Sequence, residues 1–128
     1  MAHYKQVTDP GLFTGLRLLG GFTIVRLDSI EEPPIDALGR KAMATTQIVG
    51  RKLHLTFLSG LDAKEWSVTL YHEILEAMTV AFAHPPTSVI DFNEGDFERA
   101  GYEAHERFGP ASPESLNRML QFYGFREE

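Results

Sequence analysis

One stretch near the middle of the chain constrains the fold most. Residues 63–83 contain neither proline nor glycine, and Pro85-Pro86 follows shortly after them. At about 3.6 residues per turn, positions 66–82 place apolar side chains over most of the helix circumference. A helix of that kind is usually buried, so we predict a buried helix over residues 63–83. The polar positions share one narrow sector: Thr69, His72, Glu73, Glu76 and Thr79.

This polar sector indicates a binding site. Imidazole and carboxylate groups inside a protein need hydrogen-bond partners or a metal ion. His72 and Glu76 lie four positions apart and therefore point the same way from successive turns, so both can bind one ion. Glu73 lies about 100° further round the helix, near such an ion without having to bind it. The spacing suits two metal ligands beside a glutamate that takes a proton from water.

Residues 70–77, Leu-Tyr-His-Glu-Ile-Leu-Glu-Ala, resemble the zincin metallopeptidases. They are also similar to small bacterial and phage zincin-like domains, which carry such a helix after a short hairpin, and the likeness extends over about residues 45–109. The resemblance implies a metal-dependent peptidase that binds Zn²⁺ or another divalent ion. Within it, His72 and Glu76 would be metal ligands and Glu73 the general base.

The third ligand is open among four residues. In gluzincins a glutamate on the following helix completes the site, and Asn93-Glu94 resembles the start of that helix in thermolysin-like enzymes. The resemblance ranks Glu94 first. His105 comes second because imidazole is the better zinc donor, and Asp96 and Glu98 follow. Alternatively, Glu94 and Asp96 stabilise a helix N-terminus and His105 is a surface residue.

The motif departs from the usual zincin pattern at Glu76, which stands where a second histidine is expected. A set with one histidine and two carboxylates selects zinc less strongly, so manganese and nickel would compete for it. Three hypotheses follow. The chain is a zincin-like peptidase, or a non-catalytic zincin-like binding domain with a degenerate or absent metal site. In the third, an interaction protein uses the polar sector as a buried hydrogen-bond network.

The remaining patterns predict an α+β fold, with a short antiparallel sheet or hairpin before the buried helix and two further helices after it. Residues 1–128 would form a single zincin-like domain. The other predicted elements are a helix from Asp9-Pro10 to Gly20-Gly21, strands at 22–27, 45–49 and 53–58, and helices from Asn93 to about Gly109 and from Ser112-Pro113 to Gly124.

Composition narrows the functional classes. The 128 residues include 18 acidic and 12 basic side chains, a formal net charge of −6, which argues against nucleic acid and anionic membranes as partners. The chain has no cysteine, which excludes disulfides, thiolate metal sites and cysteine nucleophiles. The N-terminus lacks the apolar core of a signal peptide, and no apolar run is long enough to span a bilayer. We therefore expect a cytoplasmic protein acting on a peptide or protein, with the oligomeric state open.

Some polar side chains outside the motif remain ambiguous. His54 lies on the polar side of a strand and would either line a substrate groove or be exposed to solvent. Tyr71, Tyr102 and Tyr123 could each donate a hydrogen bond to an oxyanion, and the sequence does not select one of them.

Overall fold

A computed structural model describes residues 10–36 and 38–127. They form one four-stranded sheet and three α-helices, which confirms the predicted α+β class. The elements are β1 (Leu16–Arg17), β2 (Thr23–Ile30), β3 (Ala44–Val49), β4 (Lys52–Leu58), α1 (Ala63–Ala81), α2 (Glu94–Phe108) and α3 (Pro113–Phe122).

The sheet is mixed, with the strand order β1-β2-β4-β3. β3 and β4 form the predicted antiparallel hairpin, in which Val49 lies opposite Lys52. β2 pairs with the other side of β4 in parallel, which the sequence analysis did not predict. A parallel pair needs a long connection, and residues 31–43 together with β3 provide it. This arrangement leaves β3 as an edge strand of the sheet.

The predicted first helix, from Asp9-Pro10 to Gly20-Gly21, is wrong over its described part. Two short 3-10 turns, Pro10–Leu12 and Leu19–Gly21, flank β1 instead. Gly15 has a φ of 87°, a conformation that breaks a right-handed helix. β1 then pairs with β2, and this tertiary contact outweighs the local apolar spacing. Asp9, the predicted helix cap, lies outside the described residues.

All three α-helices begin where the sequence predicts, because each has a capping box, in which the cap and the third helical residue exchange hydrogen bonds. α1 ends at Ala81, two residues earlier than predicted. Within the described ranges, none of the helices has both the length and the apolar character that a bilayer crossing requires. The capping pairs are Asp62 with Glu65, Asn93 with Asp96, and Ser112 with Ser115.

α1 is buried, as predicted. Leu70, Ile74, Leu75 and Met78 are completely shielded from solvent and share one core with the buried face of β4. α2 packs closely against α1 at Gly101, where an added Cβ would lie 2.7 Å from the Val68 carbonyl oxygen. His72, Glu73 and Glu76 lie between α2 and β3 and are partly exposed to solvent.

Candidate metal centre

The structure brings the motif side chains of α1 together. One ligand atom each from His72, Glu73 and Glu76 lie within 4.8 Å of one another. His72 Nε2 lies 3.4 Å from Glu76 Oε1, as expected for side chains on successive turns. Among the described residues, this is the group of three or more histidine and acidic side chains that can hold a metal ion.

Glu94, the first-ranked third ligand, contacts His72 from α2. Its Oε1 atom lies 3.1 Å from His72 Nε2. Two donors bound to a tetrahedral zinc at about 2.1 Å stand about 3.4 Å apart. The separations of Glu94 and Glu76 from His72, 3.1 and 3.4 Å, each match two donors on one small ion. Glu94 lies outside the group of His72, Glu73 and Glu76, whose ligand atoms are all within 4.8 Å of one another.

His105 does not join this cluster. Its Nδ1 atom lies 2.8 Å from the hydroxyl of Ser67, which is fully buried. The Ser67 hydroxyl also accepts a hydrogen bond from the Ala111 N–H at 2.8 Å. The structure thus places His105 in a network that ties α1, α2 and the segment before α3 together.

The two remaining candidates have different positions. Asp96 closes the capping box of α2 and forms an ion pair with Arg99 at 3.3 Å. Glu98 is exposed and lies on the wall of the groove that contains the cluster. Neither belongs to the group that can hold an ion together with His72.

Glu73 has a partner that the sequence analysis missed. The Thr46 hydroxyl, on the edge strand β3, donates a hydrogen bond of 2.7 Å to Glu73 Oε1. A signal for it existed in the hairpin, because a turn at Gly50-Arg51 that pairs Val49 with Lys52 also pairs Thr46 with Leu55. Since Leu55 faces the core, Thr46 must face α1 as well.

The cluster alters the acidity of two of its members. Burial lowers the pKa of His72, but the hydrogen bond to Glu76, the charges of Glu73 and Glu76 and the hydrogen bond to Glu94 outweigh it and raise the pKa to about 8. Burial raises the pKa of Glu73 to about 7, against the opposing effect of the Thr46 hydrogen bond. Without an ion, His72 therefore holds a proton at neutral pH that a metal would have to displace.

The cluster opens onto a groove of about 1080 Å³ between β3, α1, α2 and the segment before β3. Exposed apolar side chains form part of its walls, which lets it hold more than a small polar ligand. They are Ile35, Leu38, Met43, Val80 and Tyr102.

The structure separates the three tyrosines that the sequence left equal. Tyr102 lines the groove, on the face of α2 that also carries Glu98. Tyr71 is fully buried and donates a hydrogen bond of 2.8 Å to the Gly109 carbonyl, so it cannot meet a substrate. Tyr123 packs edge-on against Phe92, away from the groove-lining residues.

His54 has no place in the groove. It alternates along β4 with the buried residues Leu53 and Leu55, so it lies on the opposite face of the sheet from α1. The groove-lining residues do not include it.

Comparison with known proteins gives no family for this chain. No protein-family model matches it, and neither a curated protein nor a solved structure is significantly similar to it. What the structure shows is a cluster of His72, Glu73 and Glu76 that can hold a metal ion, with Glu94 beside it and a groove in front of it.

Proposed function

We propose that this protein is a metal-dependent peptidase of zincin-like type. His72, Glu76 and Glu94 hold a divalent cation, and Glu73 is the general base. The observation that carries the proposal is the set of contacts that the carboxylates make. Those of Glu76 and Glu94 approach His72 Nε2, whereas Glu73 is held through Oε1 by Thr46.

A divalent ion at this position supplies a Lewis acid, which makes a water molecule more acidic and polarises a peptide carbonyl. The chain's own residues do the rest. Glu73 has one oxygen fixed by Thr46, and its second oxygen is left to take a proton from water and pass it to the leaving amine. The aromatic ring of Phe97 stacks on the His72 ring, with centroids 6.5 Å apart, and supports its orientation.

The groove suggests a peptide substrate. β3 pairs with β4 along one side, and it lines the groove from Ala44 to Ile48. An extended peptide can bind beside an edge strand through backbone hydrogen bonds, with alternate side chains entering pockets. A peptide bound along β3 would pass in front of Thr46 and Glu73, which places its backbone near the cluster.

The decisive experiment compares wild type with Glu73→Gln on a mixed library of internally quenched fluorogenic peptides, after loading with Zn²⁺. Loss of a general base costs about a hundredfold to ten-thousandfold in rate, so we expect a loss in that range with zinc affinity retained. Glu98→Gln is the matched control, because it removes a groove carboxylate outside the cluster. Equal activity of wild type and Glu73→Gln would overturn the proposal.

A non-catalytic zincin-like binding domain is the second candidate. One observation favours it: Glu76 and Glu94 both lie within ion-pair distance of His72 Nε2, so they can satisfy the imidazole by themselves. In that case zinc binding, if found, would come without turnover of any peptide in the library. Measuring zinc affinity and peptide hydrolysis on the same sample separates the two candidates, and repeating both with Mn²⁺ and Ni²⁺ identifies the preferred ion.

A further inference from the structure

We infer that Gly101 is a positioning residue for the metal site, because its missing side chain sets the spacing between α1 and α2. The inference rests on the proposed function, in which ligands from both helices bind one ion. Gly101 touches neither the ion nor a substrate and would act through Glu94.

Gly101 on α2 lies against α1 beside His72, one of the proposed ligands. A Cβ added there would lie 2.7 Å from the Val68 carbonyl oxygen, 3.2 Å from His72 Cβ and 3.4 Å from the backbone nitrogen of His72. The first distance is too short for two atoms that are not bonded. Because Val68 contributes a backbone atom of a buried helix, it cannot rotate away, and α2 would have to move outwards.

An outward shift of α2 would affect one ligand out of three. His72 and Glu76 both lie on α1, so their separation of 3.4 Å would persist. Glu94 lies on α2, and its 3.1 Å approach to His72 spans the two helices. Metal–ligand distances tolerate changes of about 0.2 Å, and clearing the contact at Val68 requires about half an ångström. The site would then keep two protein ligands and lose the third.

A second glycine in α2 provides a matched control. At Gly95 an added Cβ would meet nothing closer than Asn93 Oδ1, at 3.4 Å. Gly95→Ala therefore makes the same chemical change in the same helix without pushing α2 away from α1. Any difference between the two variants reports the contact at Gly101 and not helix propensity, which favours alanine at both positions.

The test is a double-mutant cycle in zinc affinity, measured by competition calorimetry on chelator-stripped protein. The variants are Gly101→Ala, Glu94→Gln, the combination of the two, and Gly95→Ala. We expect Gly101→Ala and Glu94→Gln each to weaken binding about tenfold or more, and the combination to bind no more weakly than Glu94→Gln alone. Such non-additivity would show that Gly101 acts through Glu94, which general destabilisation would not produce.

The following results would overturn the inference. Wild-type affinity in Gly101→Ala would refute it while leaving the proposed function intact, and so would fully multiplicative losses in the double variant. If wild type binds none of Zn²⁺, Mn²⁺ and Ni²⁺, both the proposed function and the inference fall.

A further variant decides the matter if Gly101→Ala fails to fold. Glu94→Asp withdraws the carboxylate by one methylene without touching the helix contact. If the spacing controls the site, Glu94→Asp weakens zinc binding about tenfold, and unchanged affinity would overturn the inference.

Discussion

Two clusters of polar side chains lie along α1, and they differ in how their polar groups are paired. The inner cluster consists of Ser67, Tyr71, His105 and Ser115, and the groove cluster of His72, Glu73, Glu76 and Glu94. In the inner cluster, each hydroxyl has a partner: Ser67 lies between His105 and the Ala111 N–H, and Tyr71 donates to Gly109 and lies 2.7 Å from the Ser115 hydroxyl. The groove cluster instead gathers three carboxylates around one imidazole.

This difference shows that α1 carries both side chains that stabilise the fold and side chains that suit a functional site. Tyr71 and His72 are neighbours in sequence, yet Tyr71 is fully buried and His72 lines the groove. Hydrogen bonds that give each buried hydroxyl a partner, as in the inner cluster, stabilise the fold. Crowded carboxylates repel one another and destabilise it unless a cation neutralises them, which is typical of functional sites.

The largest expected effect separates the two histidines. His72→Ala should weaken zinc binding about a thousandfold, equivalent to about 4 kcal/mol, because it removes a direct ligand. His105→Ala should leave zinc affinity within about threefold of wild type, since its ring faces Ser67. Calorimetric titration of both variants with zinc checks this, and equal losses would erase the distinction between the clusters.

The next effect concerns pH. The pKa of Glu73 is raised to about 7 and that of His72 to about 8, so the metal-free fold binds more protons than the unfolded chain. The stability that Glu73 and His72 contribute in their protonated forms is present in mild acid and is lost as pH rises through 7 and then 8. Within about pH 5.5 to 8.5 the two groups together account for about 3 pKa units, at about 1.4 kcal/mol each, so we expect a loss of about 4 kcal/mol.

Urea unfolding of chelator-treated protein across this range measures the loss. The double variant His72→Ala, Glu73→Gln is the control and should show a much flatter profile. A stability that rises with pH over the same window would contradict the assigned acidities.

A third comparison uses two substitutions that should change the free energy of unfolding in opposite directions. Tyr71→Phe removes a hydroxyl from the inner cluster and should cost about 1–2 kcal/mol of stability. Glu73→Gln should stabilise the metal-free protein by about 1 kcal/mol at high pH, because it removes a carboxylate whose charge burial disfavours. Parallel urea denaturation at about pH 8.5 tests both, and destabilisation by both would mean that the groove cluster is structural too.

The smallest expected effect concerns Thr46. Thr46→Val removes the hydrogen bond to Glu73 and should slow peptide hydrolysis about fivefold, the equivalent of about 1 kcal/mol. Thr46→Ser keeps the hydroxyl and should restore most of the rate. Initial rates on the best peptide of the library provide the measurement, and equal rates for the valine and serine variants would exclude a positioning role for the hydroxyl.

What the sequence predicts well is encoded within a few residues. Asp62, Asn93 and Ser112 each meet a hydrogen-bonding partner three positions later, so the three helix starts follow from local spacing alone. The pairing of His72 with Glu76 is local for the same reason. Local spacing does not identify Glu94 as a candidate ligand. Its assignment came from the zincin resemblance and not from its neighbours in sequence.

The predictions fail for two different reasons. β1 pairs with β2 only six to eight positions away, but its apolar spacing resembles that of a helix and therefore predicts the wrong element. His105 ranked second among the candidates for the third ligand, because imidazole is a good zinc donor. Only the antiparallel packing of α2 on α1 directs its ring to Ser67. Side-chain chemistry is visible in a sequence, but the direction in which it points depends on tertiary packing.

The parallel pairing of β2 with β4 has a kinetic consequence. The β3–β4 hairpin closes across a two-residue turn, which takes microseconds, whereas β2 must find β4 across the whole of the segment containing β3. The hydrogen bond of Thr46 to Glu73 spans 27 positions, about as many as the β2–β4 pairing, so the groove contacts have no such kinetic advantage. We therefore expect folding to form the β3–β4 hairpin before β2 completes the sheet. Pulse-labelling hydrogen exchange would show β2 amides gaining protection after those of β3, and simultaneous protection would refute this order.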